Sequence, residues 1–219
     1  MTAVIFDLDG TLIDSAPDIH AAANRVLAEE GLAPMTHEQV RSFIGRGVPH
    51  LVARLLEASG DNPTGPRHAR MMASFTAGYD DAVGLTRLYP GVVAALDVLA
   101  AMGCTFGICT NKPHAPTLSV LRHFGMLDRF AVVVGGDSLP LRKPDPAALL
   151  AAVAALGTSP VIYVGDSEVD AETAARAGLP FLIFTEGYRQ TPLDRLPHHA
   201  AFSDWAELPA LVQGLTAQG

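Results

Sequence analysis

The sequence predicts an α/β protein: a doubly wound, Rossmann-like parallel sheet core with an all-helical cap domain inserted into it. Three observations lead there. Short apolar runs alternate with helical stretches along most of the chain, and those stretches stop at glycine. The alternation fails once, over about a hundred residues between the first run and the second.

The first run, 3–6, is followed at intervals by 105–109, 130–134, 161–164 and 181–184. Continuous apolar runs of this length are expected of parallel strands buried on both faces. Between them lie helices with readable ends. Pro90 and Gly91 open one that carries Val93, Leu96 and Leu99 and closes at Gly103. The stretches 113–124, 146–156 and 168–177 are stopped by Gly125, Gly157 and Gly178. Strand and helix in repeated alternation imply right-handed crossovers and a doubly wound sheet.

The interruption reads as helical. Ser15 with Asp18 has the pattern of a helix N-cap leading into Ile19, Ala22, Ala23, Val26 and Leu27. Thr36 and Gln39 have capping-box spacing. Two more helical patterns, 48–58 and 67–83, are separated by the turn-rich stretch 60–66. The expected division is therefore a catalytic core of 1–14 and 84–219, with a helical cap of 15–83 inserted after the first strand.

Composition narrows the partners. Hydrophobic residues make up 49% and charged residues 17%, a globular balance. A net charge of −8 argues against nucleic acid, because backbone binding needs clustered Lys and Arg. An anionic substrate must then be drawn in by local cations or a metal. No apolar run approaches the ~20 residues that span a bilayer, and Met1 leads into the first strand without a signal-peptide pattern. Cys104 and Cys109 read as free thiols in a reducing compartment. The expectation is a cytoplasmic protein that meets a small molecule and no membrane; the sequence is silent on oligomeric state.

Chemistry collects at the strand ends. The first strand runs into Asp7-Leu8-Asp9-Gly10-Thr11. Ligands of open α/β sheets bind beyond the carboxyl ends of the strands, and the two-residue strand period points Asp7 and Asp9 roughly the same way. By itself, Asp-Gly is equally a solvated turn. The second strand ends in Thr110-Asn111, a hydroxyl and an amide at a helix start, suited to phosphate oxygens. Lys143 stands beside a proline-restrained loop, Pro144-Asp145-Pro146. The fourth strand ends in Gly165-Asp166-Ser167, with Asp170 one helical turn on. Each fragment alone has a plain structural explanation, as a cap, a turn or a surface lysine. Their occurrence at four strand ends in one chain does not.

Together these residues resemble the haloacid dehalogenase superfamily over nearly the whole chain. Asp7 to Leu12 is similar to that family's first motif, Thr110 to its second, Lys143 to its third, and Gly165-Asp166 with Asp170 to its fourth; the helical insert is similar to its smaller, C1-type cap. The resemblance implies a phosphatase in which Asp7 attacks phosphorus and forms an aspartyl-phosphate. Asp9 would act as general acid, then general base. It implies Mg²⁺ held by side-chain oxygens of Asp7 and Asp166 and the main-chain carbonyl of Asp9. Lys143 and Thr110 would hold the phosphoryl oxygens, with Gly10 and Asn111 beside them. Asp170 would orient either Lys143 or a metal-bound water. Retention of Asp9 speaks against dehalogenation, which needs no such acid.

Substrate choice is expected in the cap. In the loop Phe43-Ile44-Gly45-Arg46-Gly47 the flanking glycines give Arg46 an adaptable backbone, and its guanidinium can pair with a second anionic group; the plain alternative is a surface arginine in a helix-to-helix turn. This loop, Ser15-Ala16-Pro17-Asp18 and Thr185-Glu186-Gly187-Tyr188 resemble the phosphoglycolate phosphatases of that superfamily. The expected substrate is accordingly 2-phosphoglycolate, whose carboxylate suits Arg46. The alternatives are a β-phosphoglucomutase-like phosphosugar mutase, or a phosphatase for another small phosphorylated sugar or acid.

Overall fold

The computed structural model describes residues 1–79 and 83–217. In chain order its strands and α-helices are β1 (Ala3–Phe6), β2 (Ile13–Asp14), α1 (Ala16–Glu29), α2 (His37–Arg41), α3 (Val48–Ala58), α4 (Pro66–Ala77) and β3 (Arg87–Leu88). There follow α5 (Val92–Ala101), β4 (Thr105–Cys109), α6 (His114–His123), β5 (Val132–Val134) and α7 (Ala147–Leu156). The chain ends with β6 (Val161–Gly165), α8 (Glu168–Ala177), β7 (Phe181–Phe184), β8 (Ala200–Phe202) and α9 (Leu208–Thr216).

Six strands form one parallel sheet in the order β5-β4-β1-β6-β7-β8. All four residues of β1 are buried, as a central strand with helices on both faces requires. On one face Val4, Phe6, Phe106 and Ile108 pack against α5, α6 and α9. On the other, Ile5, Tyr163 and Ile183 pack against α7 and α8. Trp205, just before the last helix, is 1% exposed and has its ring centroid 6.1 Å from that of Phe6. The chain leaves β1 for β4 on one side and β6 on the other. The carboxyl end of β1 is therefore the point where the strand order reverses, and a crevice opens there.

Helices α1 to α4 surround a hydrophobic cluster of their own, built from residues such as Val26, Leu27, Leu55, Leu56, Met71 and Phe75. The strand leading into this cap, β2, pairs antiparallel with the strand leading out, β3. Neither was expected, because a two-residue strand has no periodicity to read. The helix expected over 67–83 stops at Ala77, with Gly78 as its C-cap; residues 80–82 of that stretch lie outside the described residues.

Three other expectations need correction. The third run of the sheet is only Val132–Val134, because Phe130 closes a 3₁₀ turn by donating its N–H to the Leu127 carbonyl at 3.1 Å. Strand β8 was not foreseen; it is three residues long and follows a proline- and histidine-containing loop. Ser15 sits at the N-cap position of α1 but makes no side-chain cap. Its hydroxyl donates to Asp9 Oδ1 at 2.6 Å, and Asp18 reaches 67 residues ahead in the chain to accept from the Leu85 and Thr86 amides. The Thr36–Gln39 capping box is present as expected.

Candidate active site

Asp7 follows the last residue of β1 and is 6% exposed. Lys143 approaches from the loop before α7, with Nζ 2.9 Å from Asp7 Oδ1. This ion pair gives the buried Asp7 carboxylate its one cationic partner among the described residues.

Asp166 follows β6, the neighbouring strand. Its Oδ1 accepts from the Thr11 hydroxyl at 2.8 Å and its Oδ2 from the Tyr188 amide at 2.6 Å. Gly10 makes this close approach possible: its φ is +86°, and a Cβ there would lie 2.5 Å from Asp166 Oδ2. Asp170, in the first turn of α8, is fully buried. Its Oδ1 accepts from Lys143 Nζ at 2.7 Å and the Tyr163 hydroxyl at 2.8 Å, and its Oδ2 from the Ser167 hydroxyl at 2.6 Å.

Electrostatics follow from this crowding. Burial, reinforced by Asp170 and opposed by Lys143, raises the Asp7 pKa to about 7. Burial, then Asp170 and Asp7, raises Asp166 well above the carboxylate range. Burial also works against ionised Asp170, but its ion pair with Lys143 and its hydrogen bonds outweigh that and lower its pKa. Lys143 is raised, because Asp170 and Asp7 overcome the cost of burying its charge. Oxygens of Asp7, Asp166 and Asp170 lie within 4.8 Å of one another. Three carboxylates face one ammonium, so the cluster is short of positive charge. A hard divalent cation with oxygen ligands fits that deficit.

Thr110 and Asn111 lie at the end of β4. The Thr110 hydroxyl, 2% exposed, accepts from the Lys112 amide at 3.2 Å. Asn111 spends both amide hydrogens, on the carbonyls of Gly45 at 2.9 Å and Lys143 at 3.0 Å. Its side chain has no donor left for a phosphate, and it ties the cap loop to the core instead. Arg46 is exposed. Gly45 and Gly47, at φ +112° and +83°, turn the loop so that these glycines line the cleft and Arg46 does not.

Sequence reasoning missed three residues that the structure brings to Asp9. Lys112, 8% exposed, places Nζ 3.2 Å from Asp9 Oδ1, and the same ammonium bonds the hydroxyl of Tyr79, just beyond α4. Ser15 donates to the same Asp9 oxygen. The available signal was position: Lys112 directly continues Thr110-Asn111 at a strand end. A third cap contact also went unread, Arg41, which stacks over the Tyr188 ring at 5.1 Å and donates to the Gly187 carbonyl at 2.5 Å.

A parallel α/β sheet with a helical cap over a strand-end aspartate defines a capped hydrolase. The profile of the haloacid dehalogenase-like hydrolases matches residues 1–178, and the chain belongs to that family. It is 55% identical over 218 residues to the phosphoglycolate phosphatase of Cereibacter sphaeroides strain ATCC 17025, covering 99% of this chain and 100% of that one. It is 52% identical to that of Rhodobacter capsulatus, covering 98% of each. The crystal structure of a predicted phosphoglycolate phosphatase from Haemophilus somnus 129pt superposes with a TM-score of 0.90 at 30% identity, covering 96% of this chain and 97% of that one. Among the described residues no helix is long and apolar enough to cross a membrane.

Proposed function

We propose that the chain is a Mg²⁺-dependent phosphatase of small phosphate monoesters and that its substrate is 2-phosphoglycolate. The observation that carries the reading is Asp7: a buried carboxylate at the sheet's switch point, paired with Lys143 and clustered with Asp166 and Asp170.

In the proposed reaction an Asp7 oxygen attacks phosphorus while the bond to the glycolate oxygen breaks, giving an aspartyl-phosphate. Asp9, in the cleft beside Ser15 and Lys112, takes up a proton from solvent as substrate binds and gives it to the departing alkoxide. Asp9 then takes a proton from water as that water's oxygen attacks phosphorus and frees Asp7. Lys143 and the Thr110 hydroxyl hold phosphoryl oxygens as charge shifts among them. Asp170 anchors Lys143 for that task. The carboxylates of Asp7 and Asp166, with the Asp9 main-chain carbonyl, would hold Mg²⁺, which supplies charge to offset the repulsion between anionic nucleophile and anionic phosphate. Ile19, Leu51 and Phe75 give the cleft an apolar cap wall, which would limit bulk water once substrate fills it.

Full-length similarity to phosphatases that carry this substrate in their names favours hydrolysis over transfer to a sugar. The test is phosphate release from a panel of monoesters with Mg²⁺. 2-Phosphoglycolate should rank among the best by kcat/KM without any bisphosphate activator, and Asp7→Asn should abolish turnover. A poor rank removes the substrate, and surviving turnover removes the nucleophile.

A further inference from the structure

With Arg46 turned outward, the cleft has to recognise a carboxylate by other means. Its cap wall is apolar, with Ile19, Leu51 and Phe75. Its core wall carries Asp7, Asp9, Thr110 and Lys112, and among the described lining residues Lys112 is the one cation. A lysine this buried at a helix start is not placed by solvation. It is held by two groups: Asp9 Oδ1 and Oδ2, 3.2 and 3.5 Å away, and Tyr79, whose hydroxyl it bonds and whose ring centroid lies 4.3 Å from Nζ.

The distances match a small acid. The group that protonates the leaving oxygen must sit within hydrogen-bond reach of it. In glycolate one methylene separates that oxygen from the carboxylate carbon, a span of two bonds of about 1.5 Å each. A cation already touching the proton donor is therefore within reach of the carboxylate on the same leaving group. Among the described residues, no other cation lining the cleft competes for it.

We infer that Lys112, steadied by the Tyr79 hydroxyl, is the specificity-determining residue that binds the carboxylate of the substrate's leaving group. Resting on the phosphoglycolate reading, this assigns to Lys112 the role that the sequence gave to Arg46. Without substrate, Lys112 is neutralised by Asp9. With substrate bound, the carboxylate takes over as its partner, and Asp9 is free to turn toward the leaving oxygen. Tyr79 comes from the cap and Lys112 from the core, so the subsite is complete only when the two lie together. Carboxylate recognition and cap closure are thereby coupled.

The experiment compares kcat/KM for 2-phosphoglycolate with that for ethyl phosphate, which lacks the carboxylate, in wild type and four variants. Wild type should prefer 2-phosphoglycolate. Lys112→Met should shrink that preference by about 10–100-fold, the worth of a charge-assisted contact. Lys112→Arg should keep most of the preference, Tyr79→Phe should lose part of it, and Arg46→Ala should leave it unchanged. Thermal melts of each variant separate lost folding from lost recognition. If Lys112→Met lowers both esters equally while Lys112→Arg restores both, Lys112 acts only through Asp9 and the inference is overturned. Collapse of the preference in Arg46→Ala overturns it in favour of Arg46. A wild type without carboxylate preference removes the substrate reading and this inference with it. Should Lys112→Met fail to fold, an undiminished preference in Tyr79→Phe overturns the subsite.

Discussion

Replacing Asp7 by asparagine should make the metal-free protein more stable, increasingly so as pH rises. Burial and Asp170 raise the Asp7 pKa from 3.8 to about 7. A carboxyl that holds its proton longer in the folded state favours folding below its unfolded pKa and loses that advantage as pH rises through the folded one. For Asp7 the loss begins near pH 4 and is complete above pH 7. At about 1.4 kcal/mol per pH unit, the whole shift corresponds to about 4 kcal/mol, and the part between pH 5 and 7 to about 3 kcal/mol. Asparagine keeps the shape of the side chain and does not titrate. The ion pair with Lys143 forms only as Asp7 ionises and is already part of its folded-state pKa, so it adds no separate offset. For a protein of this size about 1 kcal/mol moves Tm by about 2–4 °C, so the Tm of Asp7→Asn minus that of wild type should grow by about 6–12 °C between pH 5 and 8. Differential scanning calorimetry in a chelator measures it. Saturating Mg²⁺ should shrink the growth by stabilising wild type at the upper end. A difference that stays flat from pH 5 to 8 would refute the argument that burial and carboxylate crowding set the Asp7 titration.

Two further substitutions probe the supports of the site. Asp170→Asn removes the buried partner that anchors Lys143 at 2.7 Å; breaking such a pair costs about 3–5 kcal/mol, read as a lower urea midpoint at unchanged slope, with turnover falling more than KM changes. Gly10→Ala forces a Cβ against Asp166 Oδ2 at a φ of +86°, so Mg²⁺ should give a smaller rise in Tm than in wild type; an undiminished rise would mean that Asp166 does not need its present position.

Much of the core was legible because its signals are local. Burial on both faces makes β1, β4 and β7 continuous apolar runs, and glycine ends α7 and α8 in a left-handed conformation that other residues resist. The acids, the threonine and the lysine at the strand ends were readable for the same reason: a parallel sheet delivers every strand end to one edge. The linking strands β2 and β3 were not legible, since two residues have no period. Nor was the role of Asp18, whose partners Leu85 and Thr86 lie beyond the whole cap in the chain.

The sequence by itself determined the residues of the proposed reaction centre, Asp7 with Asp9, Thr110, Lys143 and Asp166, because strand ends follow from hydrophobic pattern and turn chemistry close by in the chain. Only the tertiary structure decided which cation faces the substrate cleft. Arg46 between two glycines and Lys112 before a proline are each, locally, a charged residue near a helix start. Arg46 is turned to solvent by the conformations of its neighbours, whereas Lys112 is drawn inward by Asp9 from the first strand and Tyr79 from the cap. Those partners are 103 and 33 residues away, and no local pattern records a contact made across that distance.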